Sequence, residues 1–286
     1  MMTTSTAETR QEKIALVHDQ LIAQMESLVT SEDWLAFLTL ASRFHNYSSN
    51  NCLLILAQCP DATRVASYTT WKTFGRGVRK GEKGISILAP CRYLAAEDSS
   101  KTEEGPKWKM KGFKIAYVFD VSQTEGDPLD EGTVTALLEG SAPEGMWDLL
   151  CTLIERDGYS VRRADCGAAN GSTDRAAREV VVAPHLSDAA SVKTLAHELA
   201  HVRQTGDHFS ATSRSLSLSE VEAESVAYIV CNSFGLSSAP YSIGYVAGWA
   251  GGDIEVVKHT AAWVVKEAHR IIEESEEIRA SLASAA

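Results

Sequence analysis

Apolar residues recur at helical spacing over residues 8–30, where Ile14, Val17, Leu21, Ile22, Met25, Leu28 and Val29 form one stripe with Leu16 at its edge. Ser31 followed by Glu32 and Asp33 marks a second helix start, carried by Trp34, Leu35, Phe37 and Leu38 to about Phe44. A short third helix is expected over 50–57, ending before Pro60, and Thr69 or Thr70 can cap one more turn through Trp71 and Phe74. The texture then changes. Gly75, Gly77, Gly81 and Gly84 punctuate a basic stretch, 85–89 reads as a strand, and 113–119 alternates as its partner across a polar hairpin loop at 96–112. Helices followed by a small antiparallel sheet give a first domain over 8–128, with a boundary around Pro128.

The pattern beyond the boundary is mostly helical. A helix is expected at 146–156, strands at 159–163 and 179–182, and a helix from Asp188 or Ser191 through the paired histidines His197 and His201. Another follows at 218–234, Pro240 and Gly244 interrupt the pattern, and a long helix runs over 253–274, with 281–286 expected to fray. The fold class is therefore α+β in two domains, 8–128 and 134–280, the second mainly helical with a short sheet.

Composition narrows the function classes. No stretch approaches the roughly 20 apolar residues of a membrane span, and the N-terminus lacks a secretory apolar run, so a cytoplasmic protein is expected. The six cysteines are scattered with no CxxC pair, which argues for buried reduced thiols rather than a disulfide framework. The net charge of −11 is unevenly placed. Residues 126–286 hold 12 basic and 24 acidic groups, whereas 1–125 hold 15 and 14. Within 62–95, Arg64, Lys72, Arg76, Arg79, Lys80, Lys83 and Arg92 face Glu82 alone, a local +6.

The chemistry concentrates at His197-Glu198-Leu199-Ala200-His201. Histidines four apart lie one above the other on a helix. They can hold one zinc ion, which lowers the pKa of a bound water to about 7, while Glu198 serves as general base for a peptide substrate. The strand at 180–182 offers a substrate-binding edge. A third ligand is still needed. His208 is one position late for a third histidine and is expected to be exposed; Glu220 and Glu224 share a face of the next helix, where one can ligate and the other orient a ligating histidine. Glu222 is expected to be an exposed carboxylate. Tyr228, Tyr241 and Tyr245 are available as oxyanion donors, and none is assigned.

The arrangement of HELAH with Glu220-x-x-x-Glu224 on a following helix resembles the Glu-zincins, especially the ImmA/IrrE-like metallopeptidases. That resemblance places the third ligand on Glu220 and leaves Glu224 to orient a ligand from behind. Where that family continues Leu-Leu-Met-Pro, this chain has Ile229-Val230-Cys231-Asn232.

In the front half, Trp71 and Phe74 interleave with Arg76, Arg79, Lys80 and Lys83 on a glycine-rich loop. Such a stretch suits a single-stranded nucleic acid groove, with cations on phosphates and aromatic faces on bases; it equally suits a short helix with its aromatic side in the core. Three stretches, FHNYSSNN at 44–51, YTTW and GRGVRKGEKG at 68–84, and VSQTEG at 121–126, resemble the N-terminal domain of ArdC-type antirestriction proteins. The resemblance covers about 8–128 and implies single-stranded DNA binding joined to a metallopeptidase-like domain, with Trp71, Arg76, Arg79, Lys80 and Lys83 as candidate contacts. Three functions follow: a zinc metallopeptidase fused to a DNA-binding domain, a regulatory protease cleaving a repressor, or a non-catalytic protein that shields DNA.

Overall fold

The computed structural model of the chain describes residues 4–28, 31–94, 108–128, 142–167, 169–204, 213–236 and 253–285. They form two compact units, one of Met1–Gln24 with Leu53–Leu129, the other of Met25–Cys52 with Asp130–Ala286. The units cut across the linear division at 8–128 and 134–280, because residues 25–52 pack with the C-terminal half.

In the first unit, α1 (Thr4–Ser27) buries Val17 and Leu21, and the last turns of α3 (Ser49–Gln58) bury Leu53, Leu54 and Ile55. β1 (Val65–Ser67) leads into α4 (Tyr68–Thr73), then β2 (Arg76–Val78), β3 (Ile85–Leu94), β4 (Trp108–Asp120), a 3-10 turn (Val121–Gln123) and β5 (Thr124–Gly126). One antiparallel sheet has the order β1-β4-β3, and β2 pairs with β5 in a second. Side chains alternate across the sheet, so Ile85, Ile87 and Val118 share a buried face. The β3–β4 register shifts between Pro90 and Arg92, where the missing Pro90 N–H interrupts the ladder. Gln58 completes the free edge of β3, donating to Ser86 O at 3.0 Å and accepting from Ser86 N at 2.9 Å. The cap of α4 is Ser67, which accepts from Thr70 N, rather than Thr69 or Thr70.

The motifs GRGVRKGEKG and VSQTEG are clipped to each other. Asp120 accepts from the N–H groups of Thr63, Arg64 and Ser122. Burial pushes its carboxyl up, but these donors outweigh burial and hold it below its ordinary range. Gln123 donates to Glu82 and to Lys83 O, and Arg79 reaches Glu82, Ser122 O and Thr124 O. Gly126, at φ +138, has Gly75 O only 2.4 Å from where a Cβ would stand, so the β2–β5 pair closes only around glycine.

In the second unit, α5 (Met146–Arg156) buries Met146, Leu149, Leu150, Leu153 and Ile154, the i, i+3, i+4, i+7, i+8 stripe of a helix against a core. A three-stranded sheet follows in the order β6-β8-β7: β6 (Ser160–Arg163) runs parallel to β8 (Glu179–Val182), and β7 (Gly171–Asp174) antiparallel to it. Next come α6 (Asp188–Arg203), capped by Ser187, then α7 (Ser213–Ser233) and α8 (Ile254–Ala285). The last helix continues through the segment expected to fray. α2 (Ser31–Arg43) packs on α7, with Trp34 Nε1 donating to Ser225 Oγ at 3.0 Å and Thr39 Oγ1 2.9 Å from Tyr228 Oη. Helices therefore pack on α7 from several sides. All six cysteines are free thiols, but only Cys52 and Cys231 are buried.

Candidate metal centre and nucleic-acid interface

α6 brings His197 and His201 to one face, their Nε2 atoms 3.0 Å apart. Glu220, on α7, places its two carboxylate oxygens 3.3 Å from His197 Nε2 and 3.4 Å from His201 Nε2. One ligand atom from each of the three residues lies within 4.8 Å of the others. Glu220 is the most exposed of the three, at 65% of its side-chain surface, so the centre opens to solvent on the α7 side.

The far side of each ring is held differently. His197 Nδ1 lies 3.0 Å from Glu224 Oε2, and Lys193 pairs with the other Glu224 oxygen at 2.9 Å. His201 Nδ1 lies 2.9 Å from Gln204 Oε1. Gln204 caps α6 and is fully buried; its amide nitrogen donates to Ser219 O and Glu222 Oε2, so its oxygen must accept. It accepts from Ser219 Oγ at 2.7 Å and from His201. Both imidazoles then carry their proton on Nδ1 and turn Nε2 lone pairs inward. Two lone pairs and a carboxylate facing one point repel each other unless a positive charge stands among them. That donor set fits a divalent cation.

The same convergence shows in the titration behaviour. Burial alone would lower the His197 pKa, but hydrogen bonds to Glu220 and Glu224 prevail and raise it to about 9. Where no cation is bound, a proton shared among the Nε2 atoms and Glu220 takes its place, and those hydrogen bonds hold Glu220 far below its ordinary range. Glu222 is buried rather than exposed as expected, and burial pushes its carboxyl up to about 7 against the Gln204 hydrogen bond.

Glu198 is buried and points toward β7, where Thr173 Oγ1 donates to its Oε2 at 2.7 Å. A Cβ on Gly171 would stand 2.7 Å from Glu198 Oε1 and 2.6 Å from Thr194 Cγ2, so β7 reaches α6 only because residue 171 is glycine. The edge beside the site is accordingly β7. The strand expected to supply it, 180–182, is β8, which is central and paired on both sides. Arg175, after β7, donates to the carbonyls of His201 and Gln204 at the end of α6. Gln204, Glu222, Thr173, Gly171 and Lys193 were not anticipated from sequence. Tyr228 is a packing residue on Thr39; Tyr241, Tyr245 and His208 lie outside the described residues.

The basic stretch departs from its expectation at Trp71. Its indole is 2% exposed and Nε1 donates to Phe119 O at 2.8 Å, so its faces are spent in the core and are unavailable to bases. Arg76 is committed to Thr124 and to the carbonyls of Gly126 and Asp127, and Arg79 to the clip described above. Lys80 and Lys83 are exposed, and their ammonium groups have no ion-pair partner among the described residues. No helix among those residues is long and apolar enough to cross a membrane.

Residues 11–121 match the family model for the N-terminal domain of anti-restriction factor ArdC. The chain is 25% identical over 292 residues to an uncharacterized protein of Bacillus anthracis, pXO2-81; the match covers 88% of this chain and about half the length of that relative, 49%. Crystal structures of antirestriction ArdC from plasmid R388 share the fold. The metal-free structure has a TM-score of 0.52 and 23% identity, covering 81% of this chain and 86% of that one. The Mn(II)-bound structure has a TM-score of 0.54 and 21% identity, covering 91% and 97%. The ion of that relative corrects the expectation of Zn2+ at this centre. Histidine spacing fixes the ligand types, but two imidazoles and a carboxylate include no thiolate to favour zinc, and first-row divalent ions compete for such sites by geometry and supply.

Proposed function

We propose that this protein is an ArdC-like antirestriction factor: its first unit holds single-stranded DNA, and its second is a divalent-metal-dependent peptidase acting on proteins met on that DNA. The cytoplasm, where entering DNA meets restriction, is the fitting place for it. One observation carries the hydrolytic half: three lone-pair donors, His197 Nε2, His201 Nε2 and Glu220, converge from two helices beside the buried Glu198. Mn(II), the ion of the R388 relative, fits these donors.

A divalent ion bound there supplies Lewis acidity to water and to a peptide carbonyl. The protein supplies the rest. Glu198 is the proton carrier: Thr173 fixes Oε2, leaving Oε1 to take a proton from the attacking water and return it to the departing amine. Glu224 and Gln204 lock the two rings so that neither must reorient. β7 is paired on its β8 side only among the described residues, so an extended substrate can add to its other edge by main-chain hydrogen bonds next to Glu198.

The test is metal content together with turnover. Wild type dialysed against Mn(II) should retain about one equivalent; His197→Ala and Glu220→Ala should lose it. Glu198→Gln should keep the ion and cleave a denatured protein substrate at least 100-fold more slowly. If Glu198→Gln protects DNA from restriction as well as wild type does, the protein shields DNA without proteolysis.

A further inference from the structure

The sheet β1-β4-β3 has one face in the core of its unit and another that carries aromatic side chains into solvent. Positions 113, 115, 117 and 119 of β4 alternate away from buried Val118. Phe113 is 49% and Tyr117 51% exposed, and Phe119, which pairs with Ala66 of β1, is half-buried. Across β3 their register partners are Pro90 for Phe113, Leu88 for Ile115 and Ser86 for Tyr117, none of which carries a charge; Leu88 is buried in the middle of this face, and the exposed rings of Phe113 and Tyr117 flank it. Four residues of strand separate the two exposed rings by about 13 Å. Large aromatic rings held half in water on a rigid strand mark a binding surface.

The basic loop enters β3 at this face. Gly84, which closes the Lys80–Lys83 loop, would bring a Cβ within 3.0 Å of Tyr117 Cβ and 3.1 Å of Phe119 Cζ. Gly84 therefore packs directly on the aromatic stripe, and Gln123 fixes the residue before it by donating to Lys83 O. Lys83, next to Gly84, and Lys80 in the same loop are both exposed.

We infer that the stacking surface for single-stranded DNA is the outer face of this sheet, with Phe113 and Tyr117 under two non-adjacent bases of one strand and Lys80 and Lys83 on nearby phosphates. The inference rests on the DNA-binding reading above and moves its aromatic contact from Trp71 to β4. Charge complementarity selects the occupant: the 62–95 stretch is +6 in a chain of −11, which favours a nucleic-acid backbone over an acidic or apolar protein partner. Unpaired bases, rather than a duplex, offer the faces that flat rings take.

The experiment is fluorescence anisotropy of a labelled oligothymidylate titrated with the full-length protein across a series of KCl concentrations. Phe113→Ala and Tyr117→Ala should each weaken binding by about 5- to 100-fold at every salt, leaving the slope of log K against log salt unchanged. Lys80→Ala and Lys83→Ala should each flatten that slope by about 0.7. Tyr117→Phe keeps the ring and should bind like wild type, which separates lost stacking from lost folding. Wild-type binding with both alanine variants within twofold of it overturns the surface but not the DNA reading. Equal loss for duplex DNA also overturns the surface. A wild type that binds no oligonucleotide at low salt overturns both.

Discussion

His197 and His201 turn the same ring atom to the centre, yet one is backed by a carboxylate with its own lysine and the other by a neutral amide. Gln204 can do this because its amide is saturated by Ser219 and Glu222, leaving no rotation that keeps every partner. Gln204→Ala frees His201 to change tautomer and should weaken Mn(II) binding about 10- to 100-fold by calorimetry. Wild-type affinity in that variant would remove the amide from the account. Gly171→Ala acts on the other side. Its methyl meets Glu198 and Thr194 below contact distance, so β7 must retreat. Mn(II) affinity should hold while turnover drops by up to about 100-fold, since misplacement by an ångström is enough. Sequence spacing brought out the histidines and both outer glutamates because helical periodicity alone puts them on facing sides. It missed Gln204 and Glu222. Position 222 faces away from Glu220, a side the spacing assigns to solvent, whereas α7 has helices on several sides.

Packing between elements is where buried charge decides stability. Arg203, in the last turn of α6, is 5% exposed and binds Asp157 at 2.7 Å, Glu267 at 3.1 Å and Glu274 at 2.6 Å, tying α6 to the end of α5 and to α8. Arg203→Met strands three carboxylates and should cost about 3–5 kcal/mol in urea unfolding; a loss under 1 kcal/mol would mean the acids find other partners. On α8, His269 Nε2 lies 3.1 Å from Ala41 O of α2. Burial lowers its pKa to about 4, against the pull of that carbonyl. The folded protein thus refuses a proton that the unfolded chain accepts below about 6.5. Its contribution to stability is complete above pH 6.5 and is lost as pH falls toward 4, by about 3 kcal/mol at most. Unfolding measured between pH 7 and 4 should show this decline, and His269→Gln, which keeps a donor for Ala41, should flatten it. Among the elements, strong periodicity made α5, β8 and the histidine helix legible. β1, β2 and β5 have three residues each, too few to show alternation, and β7 reads Gly-Ser-Thr-Asp, turn chemistry that only its pairing with β8 makes a strand.

At the scale of the whole chain, the order of residues and the order of packing part company. A reader of the sequence places α2 with the N-terminal helices, because it follows α1 closely and the glycine-rich boundary comes some 80 residues later. Side-chain chemistry overrides that proximity. Trp34, Phe37, Leu38 and Leu40 are all 1% exposed or less, and Trp34, Thr39 and Ala41 are bonded to Ser225, Tyr228 and His269 of the C-terminal half. Burying four such side chains contributes roughly 6–12 kcal/mol, as much as the whole net stability of an ordinary domain, about 5–15 kcal/mol. A fragment cut at the apparent linker, 134–286, retains every candidate metal ligand and yet lacks the helix that seats α7, which bears Glu220 and Glu224. It should bind a hydrophobic dye, melt without a cooperative transition, and hold Mn(II) poorly, whereas the same fragment mixed with a peptide spanning 25–52 should recover part of each property. A 134–286 fragment that melts as sharply as the full chain and binds the ion as tightly would show that α2 is an accessory to the second unit and not part of its core.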